Sequence, residues 1–256
     1  MEIRTLSIVG GTDKNGRREE VTLSCVPGDV ICVVGPTGSG KSRFLSDIEA
    51  LAQGDTVSKR RVLVNGEVPD TAAEGAFGQK IVAQLSQQMN FVMDLAVEDF
   101  LLLHAEARLV PDAGAMVGKI QSAANELAGE KFTGQVSVTQ LSGGQSRALM
   151  IADTALLSPS PVVLIDEIEN AGINRRRALD LLVKKEKITF IATHDPVLAL
   201  MGTRRIYFKD GGIAGIIVPD EAERKSAAVV QQADDQWVAW RETIRNGELL
   251  HIRQEK

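Results

Sequence analysis

Gly35-Pro36-Thr37-Gly38-Ser39-Gly40-Lys41-Ser42 follows directly on the apolar run Val30-Ile31-Cys32-Val33-Val34. The three glycines let the chain turn tightly with its N–H groups facing inward, and a helix starting near Lys41 adds its unpaired N-terminal amides to the same concavity. Such a nest holds an anion. Lys41 is placed to reach the β- and γ-phosphates of a nucleotide. The Ser42 hydroxyl suits Mg²⁺, whose other ligands would be phosphate and water oxygens.

Two further segments end in groups that complement this loop. Val162-Val163-Leu164-Ile165, after Pro161, runs into Asp166-Glu167. A buried strand that ends in two acids puts charge at the crevice where open α/β sheets bind ligands. Asp166 is expected to hold Mg²⁺, directly or through a coordinated water, and Glu167 to orient the water that attacks the γ-phosphate. Ile188-Thr189-Phe190-Ile191-Ala192 repeats the arrangement and runs into Thr193-His194-Asp195-Pro196. His194 can donate a hydrogen bond to the γ-phosphate and so sense its presence. Asp195 either orients the histidine's surroundings or holds the loop against another subunit.

These groups need elements to position them. Ile3 to Val9 and Glu20 to Cys25 read as short strands around the polar turn Gly11 to Gly16, and Asp29 to Val34 as the strand entering the glycine loop. The helix after that loop is predicted to run to about Ala52. Arg61 to Val64 is extended and stops at Asn65-Gly66, after which Ile81 to Gln84 resumes strand character. From about Met89 to Val138 the chain reads as a helical insert, with helices over Asp94 to Leu109 and Gly118 to Leu127. Val97, Phe100, Leu101 and His104 recur at helical spacing, which sets His104 beside a packed face rather than on a metal. Helix and strand then alternate: Ser142 to Leu157, Pro161 to Ile165, Arg175 to Val183 and Ile188 to Ala192. Tyr207-Phe208 and Ile213 to Val218 suggest small late strands. Residues 1–218 are expected to form one domain, and 219–256 a polar, helix-prone extension packed on it through Trp237, Val238 and Trp240.

Composition narrows the function classes. The 256 residues, 44% of them hydrophobic, can bury a sizeable core as one α/β domain with a subdomain. A formal net charge of -5 argues against broad nucleic-acid binding. The basic clusters Lys59-Arg60-Arg61, Arg175-Arg176-Arg177 and Lys184-Lys185 lack interleaved aromatics and read as solvated faces. Cys25 and Cys32 suit reduced, buried packing in a cytosolic protein rather than a metal site. No run reaches the roughly 18 consecutive apolar residues of a membrane span, so any membrane role is expected to need partner chains.

Leu141-Ser142-Gly143-Gly144-Gln145-Ser146-Arg147 resembles the signature sequence of ATP-binding-cassette ATPases, and it stands in that family's order, after the glycine loop and before Asp166-Glu167. With His194, the resemblance covers about residues 1–218. It implies a P-loop NTPase core of α/β class with an antiparallel N-terminal β-subdomain and an inserted α-helical subdomain. It also implies Mg²⁺-dependent ATP hydrolysis by a head-to-tail dimer, a homodimer or a pair with a related cassette. Each ATP would lie between the glycine loop of one subunit and Ser142, Gly143, Gly144 and Gln145 of the other. Gln87 is similar in spacing to the family's glutamine that touches Mg²⁺ and the attacking water, with Gln84 and Gln88 as competitors. Three departures stand out: no Tyr, Phe or Trp before Phe44 to stack on adenine, Arg43 after Ser42, and the loop Asn170 to Asn174. Without a ring, the base is expected to rest on Ile8 or Val9. The family most often serves as the ATPase subunit of a membrane transporter, cytoplasmic and docked on transmembrane permease partners. A soluble ATPase that remodels a protein, cofactor or nucleic-acid complex, and a weakly catalytic regulatory cassette, are the alternatives.

Overall fold

The computed structural model describes residues 3–69, 80–86, 91–166 and 172–251. Three strands, β1 (Leu6–Val9), β2 (Thr22–Cys25) and β4 (Arg61–Val64), form an antiparallel sheet in the order β2-β1-β4. Their residues alternate: Leu6, Ile8, Leu23, Cys25, Val62 and Val64 are buried, while Ser7 and Ser24 face outward with their hydroxyls 3.1 Å apart. The second sheet has the order β5-β6-β7-β3-β8-β9, from β3 (Val30–Val34), β5 (Val82–Leu85), β6 (Val162–Asp166), β7 (Ile188–Ala192), β8 (Arg204–Lys209) and β9 (Gly212–Ile217). β5, β6, β7, β3 and β8 run parallel, and β9 closes the edge antiparallel to β8. The near-continuous apolar character of β3, β6 and β7 follows from cover on both faces.

One face is covered by α1 (Lys41–Glu49), whose Phe44, Leu45 and Ile48 join the inner face of the small sheet in a single core. The other face carries α4 (Gly143–Leu156) and α5 (Arg175–Lys184), through Ala148, Ile151, Ala155, Ala178, Leu179 and Leu182. A third core joins α2 (Val97–Ala107) and α3 (Ala113–Leu127) to the opposite stripe of α4, with Leu101, Ile120, Ala124, Leu149 and Ala152 fully buried. This is the inserted helical subdomain. α6 (Pro196–Met201) and α7 (Glu221–Arg245) complete the chain.

Several expectations change. The first helix ends at Glu49, and the helix of Val97–Ala107 starts later than Asp94. α6 was not anticipated; Asp195 at its N-cap and Pro196 at its first position are ordinary helix-start signals in a stretch that read as loop. α7 has no buried residue, and Trp237 is 60% exposed with its indole edge-on to Trp240, so the tryptophans pack on each other rather than anchor the extension. Ion pairs hold it instead, Arg205 to Glu223 at 2.6 Å and Arg175 to Asp234.

The basic cluster at 59–61 is not a solvated face, because Arg60 is completely buried. Its guanidinium pairs with Glu19 at 2.5 Å and Asp47 at 2.9 Å, donates to the Gly211 carbonyl, and lies beside the adjoining rings of Phe44 and Phe208, about equally far from each. Burial pushes the Glu19 carboxyl up, but hydrogen bonds from Arg60 and the Gly11 and Ile213 amides outweigh that and hold it below the ordinary carboxylate range. A depressed native pKa contributes stability that is present above the unfolded value and is lost as pH falls through the native one. Arg60→Met, which leaves two buried carboxylates without their cation, is expected to cost about 3–5 kcal/mol at neutral pH. In urea melts the deficit should shrink as pH falls, because Glu19 in the variant keeps the burial that raises its carboxyl and loses the guanidinium that lowers it; a loss below about 1 kcal/mol at pH 7 would contradict this account.

Candidate functional site

β3 ends at Val34, and the next residues form the glycine loop that opens α1. Gly35, Gly38 and Gly40 all have positive φ, at 148°, 74° and 108°. Gly40 is the N-cap of α1 in the left-handed region, and a Cβ there would meet Gly211 backbone atoms at 3.0 to 3.2 Å. No side chain caps the helix, which leaves its first amides directed into the loop. Lys41 is buried, and its Nζ donates to the Gly35 and Pro36 carbonyls at 2.7 and 3.2 Å, folded over the concavity it encloses. Ser39 Oγ is buried with no hydrogen-bond partner among the described residues. Pro36, Thr37, Gly38 and Ser42 are exposed. A ring of inward amides, a lysine and an orphaned hydroxyl fits a polyphosphate, whose oxygens would satisfy all three.

The sheet register brings the other candidates to the same edge. Ala192 of β7 pairs with Val33 of β3 on one side and with Asp166 of β6 on the other. Asp166 and the Thr193-His194-Asp195 segment thus leave neighbouring strands beside the glycine loop, and the Thr193 amide donates to the Val33 carbonyl. His194 is exposed. Asp166 and Ser42 are hard oxygen donors of the kind Mg²⁺ takes. Ser86 and Asp166 are the last described residues before Gln87 and Glu167; both of these lie outside the described residues, as do Asn170 and Ala171 of the Asn170 to Asn174 loop. Gln84 is on β5.

The signature residues open α4. Ser142 is its N-cap and forms a reciprocal capping box with Gln145: the Ser142 amide donates to Gln145 Oε1 at 2.9 Å, and the Gln145 amide to Ser142 Oγ at 3.3 Å. Both side chains are engaged within the helix start, and Gln145 Nε2 also donates to the Glu130 carbonyl. The Gly143 and Gly144 amides remain as helix-end donors, with the positive end of the α4 dipole behind them. The described contacts within the chain do not bring this end to the glycine loop.

The N-terminal strand departs from expectation. Ile8 is fully buried in the core and cannot touch a base, because alternation along β1 turns Leu6 and Ile8 inward and leaves Val9 on the outer face. Gly10 and Gly11 follow, and a Cβ on Gly11 would sit 1.9 Å from the Ser58 carbonyl, so no side chain fits there. The segment reaches the glycine loop instead through Lys14, whose Nζ donates to the Gly38 carbonyl at 2.6 Å and whose amide donates to the Asp210 carbonyl at 2.9 Å. Lys14 escaped the sequence reading because Asp13-Lys14-Asn15-Gly16 has the composition of any polar turn. Its one signal was position, on the loop where an aromatic was missing.

A strand feeding a glycine loop at a helix N-terminus, with a histidine leaving the neighbouring parallel strand and an acid leaving the one beyond it, defines a P-loop nucleotide-binding protein with an inserted helical subdomain. The ABC transporter family model matches residues 19–170, and the chain belongs to that family. It is 51% identical over 253 residues to an uncharacterized ABC transporter ATP-binding protein of Methanocaldococcus jannaschii, covering 98% of this chain and 96% of the relative. It is 30% identical to the macrolide export ATP-binding/permease protein MacB of Chromobacterium violaceum, over 88% of this chain and 35% of that protein. In structure it resembles a dimeric bacterial ABC transporter cassette, with a TM-score of 0.61 at 22% identity, covering 83% of this chain and 98% of the other. The fold is thus that of the ATP-hydrolysing ABC proteins.

Gly40→Ala tests the loop directly. Forcing a Cβ into a left-handed N-cap against Gly211 should cost roughly 1–3 kcal/mol of local strain, felt by the amides that face the phosphates. Titration with a fluorescent ATP analogue should show affinity reduced about tenfold or more, while the thermal midpoint falls by only a few degrees and the fold is kept. Undiminished affinity would mean that the loop tolerates the side chain and that its geometry is not the binding determinant.

Proposed function

We propose that this chain is a Mg²⁺-dependent ATPase subunit that works as a head-to-tail pair and energises a membrane transporter. The observation that carries this reading is that two helix N-termini suited to phosphate, those of α1 and α4, open on different subdomains. A second copy, or a related cassette, would bring its Ser142, Gly143 and Gly144 over the first copy's glycine loop and close the site. The transporter role is supported by family membership and by a relative whose name joins ATP binding to a permease. The helical insert offers a face for such a partner: Met93, Leu102 and Leu103 are exposed, and a groove of about 200 Å³ between α2 and α3 is lined by Glu98, Asp99, Leu102, Gly114 and Val117. Among the described residues no helix is long and apolar enough to cross a membrane. Transmembrane permease subunits are the proposed partners, with the chain held at the cytoplasmic face through them.

In this mechanism the loop amides and Lys41 compensate the charge that builds on the transferred phosphoryl group, and Lys41 exchanges the Gly35 and Pro36 carbonyls for phosphate oxygens. Ser42, Asp166 and Gln87 would hold Mg²⁺, which when bound neutralises phosphate charge. Glu167 orients a water in line with the γ-phosphorus. The water oxygen bonds to phosphorus as the bond to the bridging oxygen breaks, and ADP leaves with the electron pair. His194 donates to the γ-phosphate and marks its presence. Once phosphate departs, little remains to hold the two subunits together.

Glu167→Gln should keep nucleotide and metal binding but lose the water-orienting carboxylate, so that ATP accumulates in a stable dimer. Size-exclusion chromatography in Mg²⁺-ATP should then show a dimer for the variant, and phosphate release should fall by about 100-fold or more. Turnover equal to that of the native protein would remove Glu167 from this role. Lys41→Ala is expected to abolish measurable hydrolysis and weaken ATP binding in the same titration, because the lost ammonium no longer offsets phosphate charge. Affinity and turnover both unaltered would show that the glycine loop is not the working site.

A further inference from the structure

Arg175, at the first position of α5, is the only member of its basic cluster whose guanidinium is largely covered, and it joins two carboxylates from distant parts of the chain. Nη1 donates to Asp195 Oδ2 and Nη2 to Asp234 Oδ2. Asp195 directly follows His194. Its other oxygen, Oδ1, accepts from the Leu198 amide at 3.0 Å and caps α6, while its own amide donates to Thr193 Oγ1 at 2.9 Å. Thr193 is fixed in turn to the Val33 carbonyl at the end of β3. The backbone on both sides of His194 is therefore pinned, on one side to the strand that enters the glycine loop and on the other to Arg175.

The root of Arg175 is equally fixed. Asn174 caps α5 by accepting from the Arg177 amide at 3.0 Å, and its own amide donates to the Leu127 carbonyl at the end of α3. Asp234 lies eleven residues along α7 from Glu223, which pairs with Arg205 of β8. One guanidinium thus joins the helical insert's side of the molecule, the His194 segment and the C-terminal helix. A planar fork can serve two carboxylates at once in fixed directions, which a lysine ammonium cannot do with the same geometry.

We infer that Arg175 is a positioning residue that sets the His194 segment for hydrolysis, and that α7 controls this setting through Asp234. With Asp234 in place, the two carboxylates hold the guanidinium across the gap between α7 and the N-cap of α6, and Asp195 keeps His194 at the edge of the phosphate site. Release of α7 leaves Arg175 free to follow one carboxylate alone, and the segment loosens. The inference rests on the ATPase reading for its kinetic consequence but not for its structural one.

The test uses the full-length protein with Asp234→Asn, Arg175→Gln, Arg175→Lys and, as an exposed neighbour, Arg176→Gln. Asp234→Asn and Arg175→Gln should each lower kcat about fivefold with KM for ATP within about twofold, and the double variant should be no worse than Arg175→Gln alone. Arg175→Lys should fall between these and the native protein, and Arg176→Gln should match the native value. Hydrogen exchange without nucleotide gives a second readout, in which the Leu198 and Ala199 amides should exchange faster in Asp234→Asn. Exchange at these amides equal to the native protein overturns the inference. So does unchanged kcat in a protein that hydrolyses ATP, or a joint shift of kcat, KM and thermal midpoint, which would make the contact merely structural. Should the native protein fail to hydrolyse ATP, the ATPase reading falls and the exchange result alone decides the positional claim.

Discussion

The buried guanidinium of Arg60 is the constraint on which the nucleotide end of this molecule depends. A charge with no exposure is tolerable only when its partners are complete, and here two carboxylates, a carbonyl and two aromatic faces surround it. Those partners come from separate elements: Glu19 precedes β2, Asp47 and Phe44 lie on α1, and Gly211 and Phe208 belong to the β8–β9 hairpin. Moving any one element uncovers a charge, so the small sheet, the phosphate helix and the hairpin must dock in one arrangement. The Gly211 amide then donates to the Ser39 carbonyl, and Lys14 spans from Asp210 to Gly38. The shape of the glycine loop is set from outside, by a network none of whose members needs to touch a nucleotide.

This arrangement also explains why the loop has no side chain toward the N-terminal strand. Gly10 and Gly11 run so close to Glu19 and Ser58 that a Cβ has no room, and Glu19 must stay there to accept from the Gly11 amide and from Arg60. A ring at Gly10 or Gly11 would drive its Cβ into Glu19 and Val21 or into the backbone of residues 58–60, so neither position can carry an aromatic platform for a base. The chain keeps the arginine and lays Lys14 across the loop crest.

Periodicity carried most of the architecture. The run into Gly35, the runs into Asp166 and His194, and the helical spacing of Val97, Phe100 and Leu101 each correspond to a described element. Strand ends on one edge of a parallel sheet are legible because an apolar run must be covered on both faces, and the polar residues that follow it have nowhere to lie but the crevice. What the sequence concealed were pairings between residues far apart. Arg60 and Arg175 look like solvated charges beside their basic neighbours, and only the fold reveals that Glu19 and Asp47, or Asp195 and Asp234, arrive opposite them. Of Ile8 and Val9 the fold excludes only Ile8, and for a local reason: alternation specifies that one of the two is buried but not which, until the small sheet is set on α1. Trp237 and Trp240 suggested an anchor by type alone, whereas the polar residues Glu223 and Asp234 make the attachment.

The helix that bears the signature belongs to two cores at once. Leu149 and Ala152 pack with α2 and α3, while Ala148, Ile151 and Ala155 pack beneath the parallel sheet. Close-packed interfaces on both sides make α4 a poor hinge, since rotating it would open two cores together. Its N-terminal amides are thus fixed to the parallel sheet as firmly as to the helical insert, and their approach to a nucleotide is cheapest as a movement of the whole chain rather than of α4 within it. The insert leaves the sheet after β5 and returns through residues 157–161 into β6, so α4 holds the insert and the strand that ends in Asp166 in one frame.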